Sequence, residues 1–169
     1  SYWNVFYNIE TAGNLLRGLA KPLHFEQEGD GNIYQVFNTQ FAQFAKADFS
    51  ATYNQMLHPN HRLVFHADMG LAVPYGNSKI IPFEKRYFAG GANSVRGWSV
   101  RGLGPGSYVT RNGTIDYINQ SGDIKLDLSL EYRAHLFWKL NGALFVDAGN
   151  IWTIYDYDDQ PDGVFLWDK

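Results

Sequence analysis

The stretch "DIKLDLSLEYR", Asp123 to Arg133, alternates without a break. Ile124, Leu126, Leu128, Leu130 and Tyr132 fall on one side; Asp123, Lys125, Asp127, Ser129, Glu131 and Arg133 fall on the other. A side-chain period of two belongs to a β-strand with one apolar and one polar face, because a helix would scatter the same residues around its axis. At roughly 3.3 Å per residue this segment reaches about 35 Å, enough for a tilted crossing of a bilayer core.

The rhythm returns elsewhere. Leu63, Phe65, Ala67, Met69, Leu71 and Val73 alternate with a face carrying Arg62, His66 and Asp68. From Val36 to Tyr53, Phe37, Phe41, Ala45, Ala47, Phe49, Ala51 and Tyr53 oppose Asn38, Gln40, Lys46, Asp48, Ser50 and Thr52, a longer run than an ordinary soluble strand. Leu144, Val146, Ala148 and Trp152 share a face opposite Asp147, and Trp3, Val5, Tyr7 and Ile9 alternate at the start. These are five strands, with "PFEKRYFA" as a weaker sixth.

Two all-β architectures satisfy the pattern. A soluble sandwich packs its apolar faces together, whereas a membrane barrel turns them to lipid around a wet, polar lumen. The strand lengths, the mixed-charge polar faces, and the aromatics near strand ends (Tyr53, Tyr75, Tyr87 with Phe88, Phe137 with Trp138, Trp152 with Tyr155) favour the barrel. The sandwich, as a binding module using its aromatic and acidic loops, stays open on pattern alone. No apolar run approaches the length of a membrane-spanning helix.

A net charge of −3 gives no basic bias toward nucleic acid, and the absence of cysteine removes thiol chemistry, disulfides and cysteine metal sites. The chain opens in a strand pattern without a leader and stops at "GVFLWDK" as another apolar stretch begins, so residues 1–169 read as a fragment of one barrel domain lacking its final strands. "WKLNG" and "PYGNSK" read as short turns, and residues 91–122 and "YDYDDQPDG" as long loops. Barrels of the outer membrane place short turns on the periplasmic side and long loops outside. Thr11 to Asn32, where Leu15, Leu16 and Leu19 suggest a short helix, breaks that rule by being long on the periplasmic side of the count.

The remaining feature is "RYFAGGANSVRGWSVRGLGPG", rich in glycine and arginine. A phosphate-binding loop would need Gly-Lys-Ser/Thr and a following helix; here Gly97 precedes Trp98 and no helical period follows. Phe88 to Pro105 instead resembles the signature loop of the BamA-type outer-membrane assembly factors: aromatic-Ala-Gly-Gly at Gly90 and Gly91, Val-Arg-Gly-aromatic at Val95, Arg96, Gly97 and Trp98, and Gly-Pro at Gly104 and Pro105. Val100 to Leu103 repeat the centre imperfectly. "LSLEYR" and "LFVDAGNIW" resemble the family strands that follow, so the likeness covers about residues 82 to 152.

The resemblance implies a sixteen-stranded antiparallel transmembrane barrel preceded by periplasmic repeats. A signature loop of about residues 89–121 would fold into its lumen, where Arg96 pairs with Glu131 and Asp147. The alternation separately puts Glu131 and Asp147 on polar, inward faces, and Gly90, Gly91 and Gly97 suit sharp backbone turns. The implied function is non-enzymatic: insertion of outer-membrane β-barrel proteins by strand templating and lateral opening, with unfolded clients, outer-membrane lipids and accessory lipoproteins as partners. Neither cofactor nor metal is implied. The alternative sharing the loop is a two-partner-secretion exporter. Detached from its barrel, such a fragment is expected to self-associate through its open edges.

Other chemistry is weakly indicated. Two carboxylates can hydrolyse glycosides, but an arginine between them would hold both ionised. Asp156, Asp158, Asp159 and Asp162 lack the spacing of a calcium loop. His24, His58, His61, His66 and His135 form no metal motif, with His58 and His61 flanking a turn.

Overall fold

The computed structural model describes residues 1–28, 33–109, 116 and 118–166. In chain order the elements are β1 (Tyr2–Ala12), helix α1 (Asn14–Ala20), β2 (Glu26–Glu28), β3 (Ile33–Val36), β4 (Thr39–Gln40), β5 (Phe44–His58), β6 (His61–Pro74), β7 (Ile124–Phe137) and β8 (Leu140–Trp152). Five of them form one antiparallel sheet in the order β1-β5-β6-β7-β8, whose edges β1 and β8 are not joined; β2, β3 and β4 form a small separate sheet. The chain is all-β, a section of an antiparallel barrel wall rather than a closed barrel.

The distribution of burial decides between lipid and core. On the leucine-rich side Leu130, Leu144 and Val146 are 45%, 75% and 70% exposed, and Val5, Tyr7 and Ile9 are exposed as well. The opposite face carries the larger buried side chains of the wall, Phe44, Ile151 and Asp127 among them, whereas those buried on the leucine-rich side are the small Ala51, Ala67 and Ala134. A sandwich would show the reverse, with leucines enclosed and charges outside. The sandwich reading therefore falls.

The one cluster of buried apolar residues lies on the polar-lined face near the long-loop end. Phe44, Ala72 and Ile151 from the strands meet Ile81, Tyr87, Ala89, Val95 and Leu103 from the segment between β6 and β7. The core is thus the loop packed onto the wall.

Three sequence expectations need correction. The strand expected from Val36 to Tyr53 is broken: Phe37 and Asn38 take positive φ values of 51° and 57° in the β3–β4 turn, and the wall strand begins only at Phe44. Two φ-positive residues reverse the chain, so the alternation across them is coincidental. "PFEKRYFA" is not a strand. Phe83–Lys85 form a single 3₁₀ turn, and Tyr87 and Ala89 make isolated bridges to Gly122 and Leu103.

The third correction follows from the second. "PYGNSK" is no hairpin turn but the start of the connection from Tyr75 to Asp123. Removing the false strand changes the parity of the count. The tight turns at Pro59–Asn60 and Trp138–Lys139 now lie at one end, while the described residues of the connections β1–β5 and β6–β7 and of the segment after Trp152 lie at the other. The Thr11–Asn32 segment obeys the rule it was expected to break; its residues 29–32, like residues 110–115 and 117 of the signature loop, fall outside the described residues.

Candidate functional site

The β7–β8 hairpin sets the wall side of the site. Its register places Ser129 opposite Asp147 and Glu131 opposite Phe145, so the two acids are diagonal neighbours rather than a facing pair. That offset leaves room for a planar cation between them.

Arg96 occupies this space. Its Nε and Nη2 donate to Asp147 Oδ2 and Oδ1, each at 2.7 Å, a two-pronged contact with one carboxylate. Its backbone N–H adds a third bond to Asp147 Oδ2 at 3.1 Å. Nη1 donates to Glu131 Oε2 at 2.7 Å, and Nη2 also reaches Ser129 Oγ at 3.0 Å. The guanidinium carbon lies 3.6 Å from the centre of the Phe145 ring. Glu131 also accepts from Arg133 Nε, so two cations balance the two acids.

Hydrogen bonds donated to Asp147 above all, and to Glu131, hold the Arg96 guanidinium charged well beyond its ordinary range, against the cost of desolvation. The side chain of Asp147 is 4% exposed and that of Arg96 is 24%, so one acid is nearly dry while the cation still touches solvent. Such a pair belongs between the exposed and fully buried limits.

The loop around Arg96 is shaped to deliver it. Trp98 N–H closes a turn onto Val95 O at 3.1 Å, and Gly91 N–H bonds Trp98 O at 3.0 Å. Gly90 and Gly91 have φ of 97° and 98°, a conformation that L side chains rarely adopt. Val95 is buried against Gly149, Trp98 is half exposed, and Pro105 is fully buried after a cis Gly104–Pro105 bond. Gly104 packs against Asn150 and Ile151. Gly97 departs from expectation. Its φ lies outside the left-handed region, and a Cβ added there would meet nothing within 4 Å.

Sequence reading missed a second anchor at the loop's base. The Tyr87 ring lies over Gly70 of β6, where any Cβ would overlap it. Its hydroxyl donates to Asp48 Oδ1 at 2.6 Å, and Lys46 Nζ stands 4.3 Å from the ring centre. Burial, then Asp48, keeps this phenol protonated far above its usual range. Lys85 adds an ion pair of 2.5 Å to Glu10 on β1. A glycine within an alternating strand was the available signal for this anchor, since it marks close approach of another group. Ser129 and Phe145 were legible as inward residues two positions from the named acids.

The histidines remain scattered. His58 and His61 rings are 5.7 Å apart at the tight turn, and His61 Nδ1 pairs with the Tyr132 hydroxyl at 2.7 Å. Among the described residues no group of three or more His, Cys, Asp or Glu could hold a metal ion.

Comparison with known proteins adds two findings. Residues 26–165 match the Omp85 superfamily domain. The chain is also 35% identical to the outer membrane protein assembly factor BamA of Neisseria meningitidis serogroup B, over 66% of this chain and 15% of that protein. The chain thus spans a small part of the length of that relative.

Proposed function

The chain belongs to the Omp85 superfamily, and from that premise we propose that it is part of a factor that folds and inserts outer-membrane β-barrel proteins. Membership places it in the bacterial outer membrane, with its exposed leucine-rich face toward lipid. Residues 1–169 are read as one section of a single barrel domain whose seam strands lie outside it. Unfolded outer-membrane proteins are the clients, and accessory lipoproteins the partners. No covalent step is required. The work is templating: an opened wall edge offers unpaired N–H and C=O groups to an incoming strand.

The observation that carries the reading is the Arg96 tip seated on Glu131 and Asp147. A barrel whose seam opens must keep the rest of its wall in register, and a loop fixed across the inner face of β7 and β8 braces it. In this reading Arg96–Glu131–Asp147 is the latch, and residues 89–121 are the arm that carries it.

The test uses the full-length protein in lipid vesicles. Urea-unfolded outer-membrane proteins of several unrelated kinds are added, and folding is followed by heat-modifiable mobility on gels. Accelerated folding of all of them, lost in Arg96→Ala, is the expected result. Folding rates equal to protein-free vesicles, together with transport of one dedicated substrate into the vesicles, would instead establish an exporter.

A further inference from the structure

A second arginine, ten residues before the latch, has an acid and a set of partners of its own. Arg86 stands at the base of the loop, and its side chain is 10% exposed. Its Nε lies 3.6 Å from Asp123 Oδ1, an acid whose side chain is fully buried just before β7. Its Nη1 donates to Ser121 Oγ at 3.0 Å and reaches Gln160 Oε1 at 3.4 Å. The Tyr157 ring lies 5.3 Å from the guanidinium carbon. None of these residues touches Arg96, Glu131 or Asp147 in any contact described above.

The partners come from three separate pieces of chain. Arg86 opens the loop, Ser121 and Asp123 close it, and Tyr157 and Gln160 belong to the outer segment after β8. Gln160, 1% exposed, donates through Nε2 to the carbonyls of Asn119 and Ser121, the latter at 2.8 Å. Asp123 Oδ2 accepts from Ile154 N–H at 3.2 Å, and Asp123 N–H bonds Trp152 O at 2.8 Å. Tyr87 and Gly122 exchange both backbone bonds, at 2.8 and 2.9 Å.

We propose that Arg86, through Asp123 and Gln160, is a separate clasp that binds the outer segment 154–163 over the two ends of the signature loop. It shuts the loop's base independently of whether the Arg96 tip is seated. The physical need is clear from Asp123. Burial pushes its carboxyl above the ordinary carboxylate range, with Arg86 as the opposing influence. An ionised group in that place requires a fixed cation, and Arg86 is the cation beside it. The consequence is a loop with one movable end: the tip can leave the wall while base and outer segment move as one body. This inference rests on the contacts of the base and not on the assembly function.

Hydrogen exchange on the full-length protein in detergent micelles reads the two regions separately. Arg86→Met should speed exchange of amides at 154–163 by at least about tenfold. Amides at 95–98 should exchange as in the parent protein. The double variant Arg86→Met with Asp123→Asn should recover much of the loss, because no buried charge is left alone. Unchanged exchange at 154–163 would overturn the clasp, as would loosening of both regions to the same degree. Should Arg86→Met fail to fold, Gln160→Leu removes the bridging amide without stranding a charge. The same contrast between the two regions is then expected of it, and its absence has the same meaning.

Discussion

The loop is attached to the wall at two places by different physics. At its tip, Arg96 makes five hydrogen bonds to three side chains and keeps a quarter of its surface in solvent. At its base, Tyr87 is 8% exposed and covers Gly70, within an apolar cluster of Phe44, Ala72, Ile81 and Ala89 that reaches the tip only through Val95. A charged contact is directional, strong only when every partner is present, and open to water. Apolar burial has no direction but is hard to reverse without dismantling neighbours. The base therefore suits a permanent joint, and the tip suits one that can release.

The largest effect should come from breaking the permanent joint. Tyr87→Ala empties the space over Gly70 and leaves Asp48 without its hydroxyl donor, a loss on the order of 3–5 kcal/mol. Because membrane barrels often unfold irreversibly, the half-life of the folded gel band at raised temperature is the measure. A full-length variant as long-lived as its parent would show that the base is not a joint. Arg96→Ala should cost less, about 2–3 kcal/mol, between the exposed and buried limits. Its mark is a shift in where protease cuts: sites at 90–106 open while the base stays protected. Simultaneous opening of both would erase the distinction drawn here.

A finer probe acts on the ring beneath the cation. Phe145→Leu keeps an apolar side chain but removes the aromatic face 3.6 Å from the Arg96 guanidinium. The expected loss is about 0.5–1 kcal/mol. It should vanish in an Arg96→Ala background, since no cation is left to contact the ring. A double-mutant cycle of unfolding rates measures this coupling, and zero coupling would make the ring mere packing.

How much of this was readable beforehand follows from distance along the chain. The strands and their lipid-facing sides were legible because a two-residue period is local, and Ser129 and Phe145 follow from the same parity. The break at Phe37–Asn38 was not, since the alternation continues through a turn that φ-positive residues alone reveal. Arg86 was hidden for another reason. It sits in a stretch whose weak alternation suggests a strand. Ser121 and Gln160, 35 and 74 residues away, lie in segments without any period, and Asp123, though it opens the alternating run of β7, is also distant along the chain with nothing local to mark Arg86 as its partner.

Gly97 is where expectation and geometry part most clearly, and it yields the smallest predicted effect. A glycine between Arg96 and Trp98 looks like a requirement of the turn that aims the arginine. Yet its φ is not left-handed and open space surrounds the position of a Cβ, so neither strain nor clash opposes a methyl group. Gly97→Ala should then change stability by less than about 0.5 kcal/mol, with any gain coming from a less flexible unfolded chain. Gly90→Ala is the control: its φ of 97° and the Ser99 carbonyl beside it forbid the same substitution. Equal, large losses for both would mean that the loop needs a second conformation in which Gly97 turns left-handed. In that event the tip contact described here would be one of two states of the arm, and the tip would be shown to move.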